Sequence, residues 1–171
     1  MLMLSGICAY GQNLSCSFVQ TVRSSMIQGS MVSEGRMWFC PPDKVRWEYV
    51  SPVSNAFVMN GNEAFIVADG NARKVDMGSG GMFKGIADIM LAGVSGAGED
   101  RFDVEKDGQR MTLVPKRRDM KRLFAKVELE MRDDGLPLSV LITSQNGDST
   151  HILFSDHDTS SISDDLFQLE K

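Results

Sequence analysis

Five dipeptides of the type Asn-Gly or Asp-Gly divide the chain into short segments, and they begin at Asn60, Asp69, Asp107, Asp134 and Asn146. Both dipeptides tolerate the positive φ angles of tight hairpins. The runs between turn signals are rich in alternating apolar residues, and they cover residues 16–22, 31–39, 45–50, 55–59, 64–68, 74–77, 102–106, 111–114, 123–131, 138–143 and 150–154. The pattern predicts about ten strands joined by hairpins, and therefore a mainly β, antiparallel meander without βαβ units.

One segment, residues 78–98, departs from this pattern. Its apolar residues recur at three- and four-residue spacing, the signature of an amphipathic helix; they are Met82, Phe83, Ile86, Ile89, Met90 and Val94. Glycines flank the helical pattern on both sides, and ordered glycine costs backbone entropy. We therefore expect one loosely tethered helix between Gly81 and Gly93, and no other helix of consequence.

The run from Val45 to Val50 lies between prolines, in the stretch "CPPDKVRWEYVSP". Alternation places Val45, Trp47 and Tyr49 on one face of a strand and the intervening charged residues on the other. Proline cannot donate a ladder hydrogen bond, so the strand restarts after one proline pair and ends before the next proline. Such an aromatic face belongs either to an ordinary core or to the wall of a cavity.

The chain gives no sign of a catalytic, nucleotide or metal site. The glycine-rich segment fits no dinucleotide fingerprint, because Phe83 stands where the last glycine is needed, and it lacks the Gly-Lys-Ser/Thr of a P-loop. Ser95 lies in "GVSGA", which is not the Gly-x-Ser-x-Gly of a hydrolase. His151 and His157, with aspartates beside them, are too few for a zinc site. We predict a protein that is not an enzyme and has no catalytic residue, metal or cofactor.

Charge and apolar run lengths narrow the class further. A net charge of −5 argues against a nucleic-acid partner. No apolar run approaches the length that spans a membrane. Residues 1–15 are predicted to be a signal-peptide remnant or a short N-terminal helix, and residues 16–171 a single domain. Cys16 and Cys40 either pair in an oxidising compartment or, as we prefer, remain buried thiols on neighbouring strands.

A set of short motifs resembles the LolA family, the periplasmic carriers of outer-membrane lipoproteins. The family hallmarks are F-x-Q, S-x-G-x-x-W/Y, a proline, R-W-x-Y-x-x-P and an Asn-Gly or Asp-Gly hairpin. Here they are Phe18, Gln20, Ser33, Gly35, Trp38, Pro42, Arg46, Trp47, Tyr49, Pro52 and Asn60-Gly61. The likeness continues through "MFKGIADIML", "LVPKRRDM" and "GLPLSVLITSQNGDSTHILFSD" and covers nearly the whole chain after Ser15.

The resemblance implies an incomplete, curved antiparallel β-barrel whose open side is covered by an amphipathic helical lid. Its apolar concavity takes lipoprotein acyl chains, which an inner-membrane lipoprotein-releasing transporter supplies and an outer-membrane acceptor receives. We expect a periplasmic monomer. The predicted acyl-binding residues are the wall residues Val45, Trp47, Tyr49, Phe57 and Met59 and the lid residues Phe83, Ile86, Ile89 and Met90.

Two features depart from the family pattern. Pro41 stands where many carriers have a basic residue that holds the lid shut, so another contact must control the lid here. The chain also leaves little room before Phe18 for the family's long N-terminal helix. The alternative function is a periplasmic module of the same fold that senses a lipid or lipoprotein, or binds another hydrophobic ligand, without transferring it.

A basic cluster has no role in these predictions. Lys116, Arg117, Arg118, Lys121 and Arg122 lie within seven residues. Such a run is most often a solvated loop, and the alternative is a surface that docks on an acidic partner or on anionic head groups.

Overall fold

One antiparallel sheet of eleven strands makes up most of the computed structural model, which describes residues 12–76, 89 and 100–169. The strands are β1 Leu14–Arg23, β2 Ser30–Cys40, β3 Lys44–Ser51, β4 Asn55–Asn60, β5 Glu63–Ala68, β6 Asn71–Val75, β7 Phe102–Asp107, β8 Arg110–Pro115, β9 Lys126–Met131, β10 Pro137–Thr143 and β11 Ser149–Asp158. The glycines of all five predicted turn dipeptides have φ between 59° and 87°. The hairpin prediction is therefore confirmed.

Within β1–β6 and within β7–β11, strands that follow one another in the sequence are also neighbours in the sheet, and β1 pairs with β11 to join the two groups. The order is β6-β5-β4-β3-β2-β1-β11-β10-β9-β8-β7. The two outermost strands, β6 and β7, are therefore consecutive in the chain. The segment between Val75 and Phe102 must connect one edge of the sheet to the other.

The sheet is large, open and curved, as the predicted fold class requires. Alternate residues of almost every strand point to the inner face and are buried there, for example Phe18 on β1, Met37 on β2 and Ile152 on β11. These side chains belong to one hydrophobic cluster that extends across the sheet from β5 to β7. Strand β1 begins at Leu14, two residues earlier than predicted, because Leu14 pairs with Phe39 and is fully buried.

A second, smaller cluster lies on the outer face, and the sequence analysis did not anticipate it. The C-terminal segment crosses the outer side of β3 and β4 and forms a 3-10 turn at Asp164–Phe167. Phe167 and Ile162 are buried there against Val58 and its neighbours. Lys44 Nζ is 2.6 Å from Asp164 Oδ1 and fixes the start of the turn. The outer face of this half of the sheet is thus covered.

The basic run also differs from expectation. Residues Arg118–Leu123 form a short helix, α1, which the sequence analysis did not predict. Met120 is buried, and so is Phe124 directly after the helix, while the basic side chains remain exposed. The strand predicted to begin at Leu123 begins at Lys126 instead, because this turn of helix precedes it. No helix in the described part of the chain is long and apolar enough to cross a membrane.

The cysteines match neither alternative of the sequence analysis. Cys40 is disulfide-bonded and Cys16 is a free, buried thiol, so the two do not pair with each other and are not both thiols. Burial raises the pKa of the Cys16 thiol from 9.0 to about 12, although the Arg36 guanidinium lowers it in part.

Candidate functional site

The five predicted wall residues lie together on the inner face of β3 and β4. Val45, Trp47, Phe57 and Met59 are at most 5% exposed, and Tyr49 is half-buried. The pairing of β3 with β4 places Val45 opposite Met59 and Trp47 opposite Phe57. All five side chains belong to the inner hydrophobic cluster. Arg46 and Glu48 point the other way, as alternation requires, and Arg46 Nη2 lies 2.7 Å from Glu48 Oε2.

An aromatic stack forms the centre of this region. The Phe18 and Trp47 rings are stacked with centroids 4.2 Å apart and an interplanar angle of 27°. Tyr49 meets the Phe18 ring edge-on at 5.4 Å, and Phe154 meets the Trp47 ring edge-on at 6.2 Å. The two edge-on distances are within the range of favourable aromatic pairs, and the stacked pair is slightly closer. Strands β1, β3 and β11 thus each contribute a ring to one cluster.

Gly35 explains how rings from β1 and β3 meet although β2 lies between them. Gly35 pairs with Phe18 on one side and with Tyr49 on the other. A Cβ atom at Gly35 would overlap the Phe18 ring and the backbone carbonyl oxygen of Glu48. The missing side chain therefore lets the Phe18 ring lie across β2 and reach Trp47.

A few polar groups are buried with the aromatic stack. The Tyr49 hydroxyl donates to Gln20 Oε1 at 3.0 Å, and Gln20 is only 6% exposed. Burial raises the pKa of the Tyr49 phenol. Among the described residues, no group accepts from Trp47 Nε1 within hydrogen-bonding geometry. An apolar interior with few, defined polar groups is typical of a small-molecule site.

Of the four predicted lid residues, the structure describes one. Ile89 is helical, fully buried and part of the same inner cluster as the wall residues. Phe83, Ile86 and Met90 lie outside the described residues. The structure therefore brings Ile89 together with the five wall residues.

Sequence reasoning gave no site role to Phe18, Gln20, Gly35 and Phe154, which the structure places in or against the aromatic stack. The first three belong to the F-x-Q and S-x-G motifs, but the motifs do not state which strands pair. The signal for Phe154 was present in the alternation of the last strand. The alternation could not identify Trp47 as the ring that Phe154 contacts. That contact depends on the pairing of β11 with β1, and these two strands are far apart in the sequence.

The two histidines lie outside the interior. His151 is exposed on the outer face, where it lines a groove of about 290 Å³ with Leu141 and Arg110. His157 Nε2 is 2.6 Å from the Pro137 carbonyl oxygen and its Nδ1 is 3.2 Å from Arg132 Nη1. Within residues 12–76, 89 and 100–169, no group of three or more His, Cys, Asp or Glu side chains could hold a metal ion. Ser95 lies outside the described residues.

Comparison with known proteins gives a family and a fold. The family model for the outer membrane lipoprotein carrier protein LolA matches residues 11–170. No curated protein sequence matches the chain.

Three solved structures have similar folds. A LolA superfamily protein from Nitrosomonas europaea has a TM-score of 0.51 at 9% identity, with 92% of this chain and 90% of that one covered. A DUF1329 family protein from Desulfovibrio piger has a TM-score of 0.51 at 13% identity, with 94% and 91% covered. A chain of the Pseudomonas aeruginosa MucA/MucB complex has a TM-score of 0.50 at 16% identity, with 93% of this chain but only 56% of that chain covered. At these identities the likeness shows the fold alone.

Proposed function

The chain belongs to the LolA family of outer membrane lipoprotein carrier proteins, and on this premise we propose that it is a periplasmic carrier. It binds the acyl chains of a lipoprotein on the inner face of its curved sheet. It receives them from an inner-membrane lipoprotein-releasing transporter and delivers them to an outer-membrane acceptor.

The observation that carries the proposal is the position of Ile89. The chain between β6 and β7 connects the two free edges of the sheet. Ile89, near the middle of that connection, is buried in the inner cluster together with Trp47 and Phe57. Ile89 belongs to no described strand, so its side chain can leave the interior without breaking a described strand pair. The segment around Ile89 can therefore act as a cover that acyl chains replace, with Phe83, Ile86, Ile89 and Met90 as its apolar side chains.

The interior offers acyl chains both apolar area and a polar contact. Val45, Phe57 and Met59 would contact methylene groups, each of which contributes ~0.8 kcal/mol on burial, so eight of them supply about 6 kcal/mol. The indole N–H of Trp47, for which the described residues offer no acceptor, would donate to an ester or amide carbonyl of the lipid. When no lipid is bound, the cover returns to the interior. This competing state lowers the net affinity for acyl chains and so helps their release.

The cysteines support an extracytoplasmic location. Cys40 is disulfide-bonded, and such bonds persist in oxidising compartments such as the periplasm.

The best test of acyl binding uses Trp47 as the reporter. Trp38, the other tryptophan, lies on the outer face of β2, where its ring is 5.3 Å from the Arg36 guanidinium carbon. In the variant Trp38→Phe, we expect palmitate or a synthetic lipopeptide to shift or quench the Trp47 emission. Unchanged emission at ligand concentrations well above the micromolar range would contradict the proposal.

A pair of matched variants separates a cover from an ordinary core. Ile89 and Ile152 are both fully buried, but Ile152 belongs to β11 in the middle of the sheet. A buried unpaired carboxylate costs several kcal/mol. We expect Ile89→Asp to remain folded and to bind acyl chains differently from the wild type, because the cover can swing out to water. Ile152→Asp should unfold the protein, and unfolding by both variants alike would contradict the role of Ile89.

The alternative is a lipid-sensing module that binds the same ligand but signals to a protein. The fold likeness to a chain from the MucA/MucB complex is consistent with this alternative, since that structure is an assembly of two proteins. A transfer assay distinguishes the two functions. A carrier moves a labelled lipoprotein from donor to acceptor vesicles, whereas a sensor retains it.

A further inference from the structure

One end of the sheet combines exposed apolar side chains with exposed cations. This end comprises the β1–β2, β3–β4 and β10–β11 turns together with α1, at residues 23–32, 50–54, 144–148 and 116–123. All four elements lie at the same end because β1, β3 and β10 finish there and β9 begins there. We refer to it as the basic rim.

The turns of the basic rim expose apolar side chains to an unusual degree. Met26, at the tip of the β1–β2 hairpin, is 91% exposed, and Val53, in the β3–β4 turn, is 65% exposed. Ile27, Met31, Val50 and Leu123 are 45%, 49%, 54% and 39% exposed. Single exposed apolar residues are ordinary, but several at neighbouring turn tips mark a contact surface.

The cations of the basic rim are also exposed. Arg23, Arg118, Lys121 and Arg122 are at the surface, and none of them is in an ion pair with a described residue. The opposite end of the sheet carries more acidic than basic side chains, namely Asp43, Glu63, Asp107, Asp133, Asp134, Asp164 and Asp165 against Lys44, Lys74, Lys106, Arg110 and Arg132. The net charge of −5 thus conceals a basic end and an acidic end.

Hydrogen bonds hold the elements of the basic rim together. Asp148 in the β10–β11 turn accepts from Ser24 Oγ at 2.7 Å and from the Ser25 N–H at 2.9 Å, which fixes the β1–β2 hairpin. Gln145 in the same turn donates to the Lys121 carbonyl oxygen at 2.9 Å, which fixes α1. The apolar tip and the basic helix are therefore presented as one surface.

We propose that the basic rim docks on the surface of an anionic phospholipid bilayer. Cations next to exposed apolar side chains are the combination that such a surface attracts, since the cations pair with head groups and the apolar side chains enter the interface. The acidic opposite end is repelled by the same surface, so the protein docks in one orientation. This docking does not depend on acyl binding in the interior.

Co-sedimentation with vesicles tests the charges. The wild type should bind vesicles of phosphatidylcholine with about one-third phosphatidylglycerol, and binding to phosphatidylcholine alone should be much weaker. Each Lys or Arg near such a surface contributes about 1 kcal/mol, so Lys121→Glu with Arg122→Glu should reduce partitioning at least tenfold. The matched control is Lys106→Glu with Arg110→Glu, which changes the net charge equally at the opposite end and should retain wild-type partitioning.

A second measurement tests the apolar tips and does not rely on charge. After subtraction of the wild-type emission, which comes from Trp38 and Trp47, anionic vesicles should shift the emission of Val53→Trp to shorter wavelength and leave that of Asp133→Trp, at the opposite end, unchanged. Met26→Ser should weaken partitioning, and Leu138→Ser, at the other end of the sheet, should not.

Several outcomes would overturn the docking proposal. The proposal is wrong if the wild type does not bind anionic vesicles, or if the Lys121/Arg122 and Lys106/Arg110 variants lose vesicle partitioning equally. It is also wrong if the basic rim binds an acidic protein in preference to lipid. Palmitate binding by Trp38→Phe with and without the Lys121 and Arg122 changes is measured in parallel. If the protein binds vesicles but not palmitate, the carrier proposal fails and the docking proposal stands. If it binds palmitate but not vesicles, the docking proposal fails and the carrier proposal stands.

Discussion

Gly35 is the residue at which a single added carbon should disturb the interior most. It is the point where Phe18 lies across β2 to reach Trp47. In Gly35→Ala the new Cβ would overlap both the Phe18 ring and the Glu48 backbone, and overpacking costs typically 1–3 kcal/mol. Since backbone cannot move as a flexible side chain can, we expect a loss of about 3 kcal/mol in the free energy of unfolding, measured by urea denaturation.

A control for Gly35→Ala is Gly108→Asn. Gly108 has φ of 59° and open space around its Cα, and asparagine tolerates this conformation. The free energy of unfolding should change by less than about 1 kcal/mol. If Gly35→Ala were no more destabilising than this control, the explanation of the S-x-G motif given above would be wrong.

Cys16 gives a prediction about alkaline pH. Its pKa is raised to about 12 in the folded protein by burial, from 9.0. Because the folded pKa is the higher one, the neutral thiol stabilises the fold fully below pH 9.0, and this contribution is lost as the pH rises towards 12. Relative to Cys16→Val, which does not titrate, the wild type should lose up to about 1.4 kcal/mol per pH unit in that range. If the free energies of unfolding of the two proteins changed equally with pH in this range, burial would not control the pKa of this thiol.

At the scale of elements, the strands and hairpins could be predicted because both signals are local. Alternation defines each strand, and Asn-Gly or Asp-Gly defines a turn. The helix α1 was missed since four of its six residues are charged and only Met120 is buried, which gives no helical periodicity. The C-terminal segment was missed for a different reason. Its apolar residues Ile162 and Phe167 pack on Val58, which is a hundred residues away in the chain.

The C-terminal segment is expected to stabilise the fold without serving the interior. Phe167 is 2% exposed and packs on the outer side of the sheet. Phe167→Ala should reduce the free energy of unfolding by about 3 kcal/mol, as for other buried phenylalanines. Gln168→Ala, which changes an exposed neighbour, should have little effect. Palmitate binding measured through Trp47 at a temperature where both variants are folded should be unchanged, and its loss in Phe167→Ala would mean that the two faces are coupled.

At the scale of the whole molecule, the sequence predicted a meander but not the pairing that joins its two halves. Strand β1 pairs with β11 along most of its length, from Arg23 opposite Ser149 to Ser15 opposite Asp158. This contact cannot be predicted from local pattern, because any two exposed strand edges satisfy the same alternation. The wall residues could be predicted since β3 and β4 are consecutive, whereas their contacts with Phe18 and Phe154 depend on the β1–β11 and β1–β2 pairs.

The β1–β11 pair leads to a prediction about the connection between β6 and β7. Strands β1–β6 lie before this connection and β7–β11 after it, so a cut within residues 77–99 separates the chain into two fragments. Each fragment contributes one strand to the β1–β11 pair in the middle of the sheet. The cut breaks none of the strand pairs that the structure describes, and the fragments should remain a one-to-one complex. We therefore expect a protein with a specific protease site inserted between Gly80 and Gly81 to stay associated and rich in β-structure after cleavage, by native mass spectrometry and circular dichroism.

Acyl binding should change on cleavage, because a cut cover returns to the interior less readily. Uncut protein with the same insertion is the control for the insertion itself. Dissociation of the fragments on cutting would show that the connection holds the two halves together, and unchanged acyl binding after cutting would show that it is not the cover.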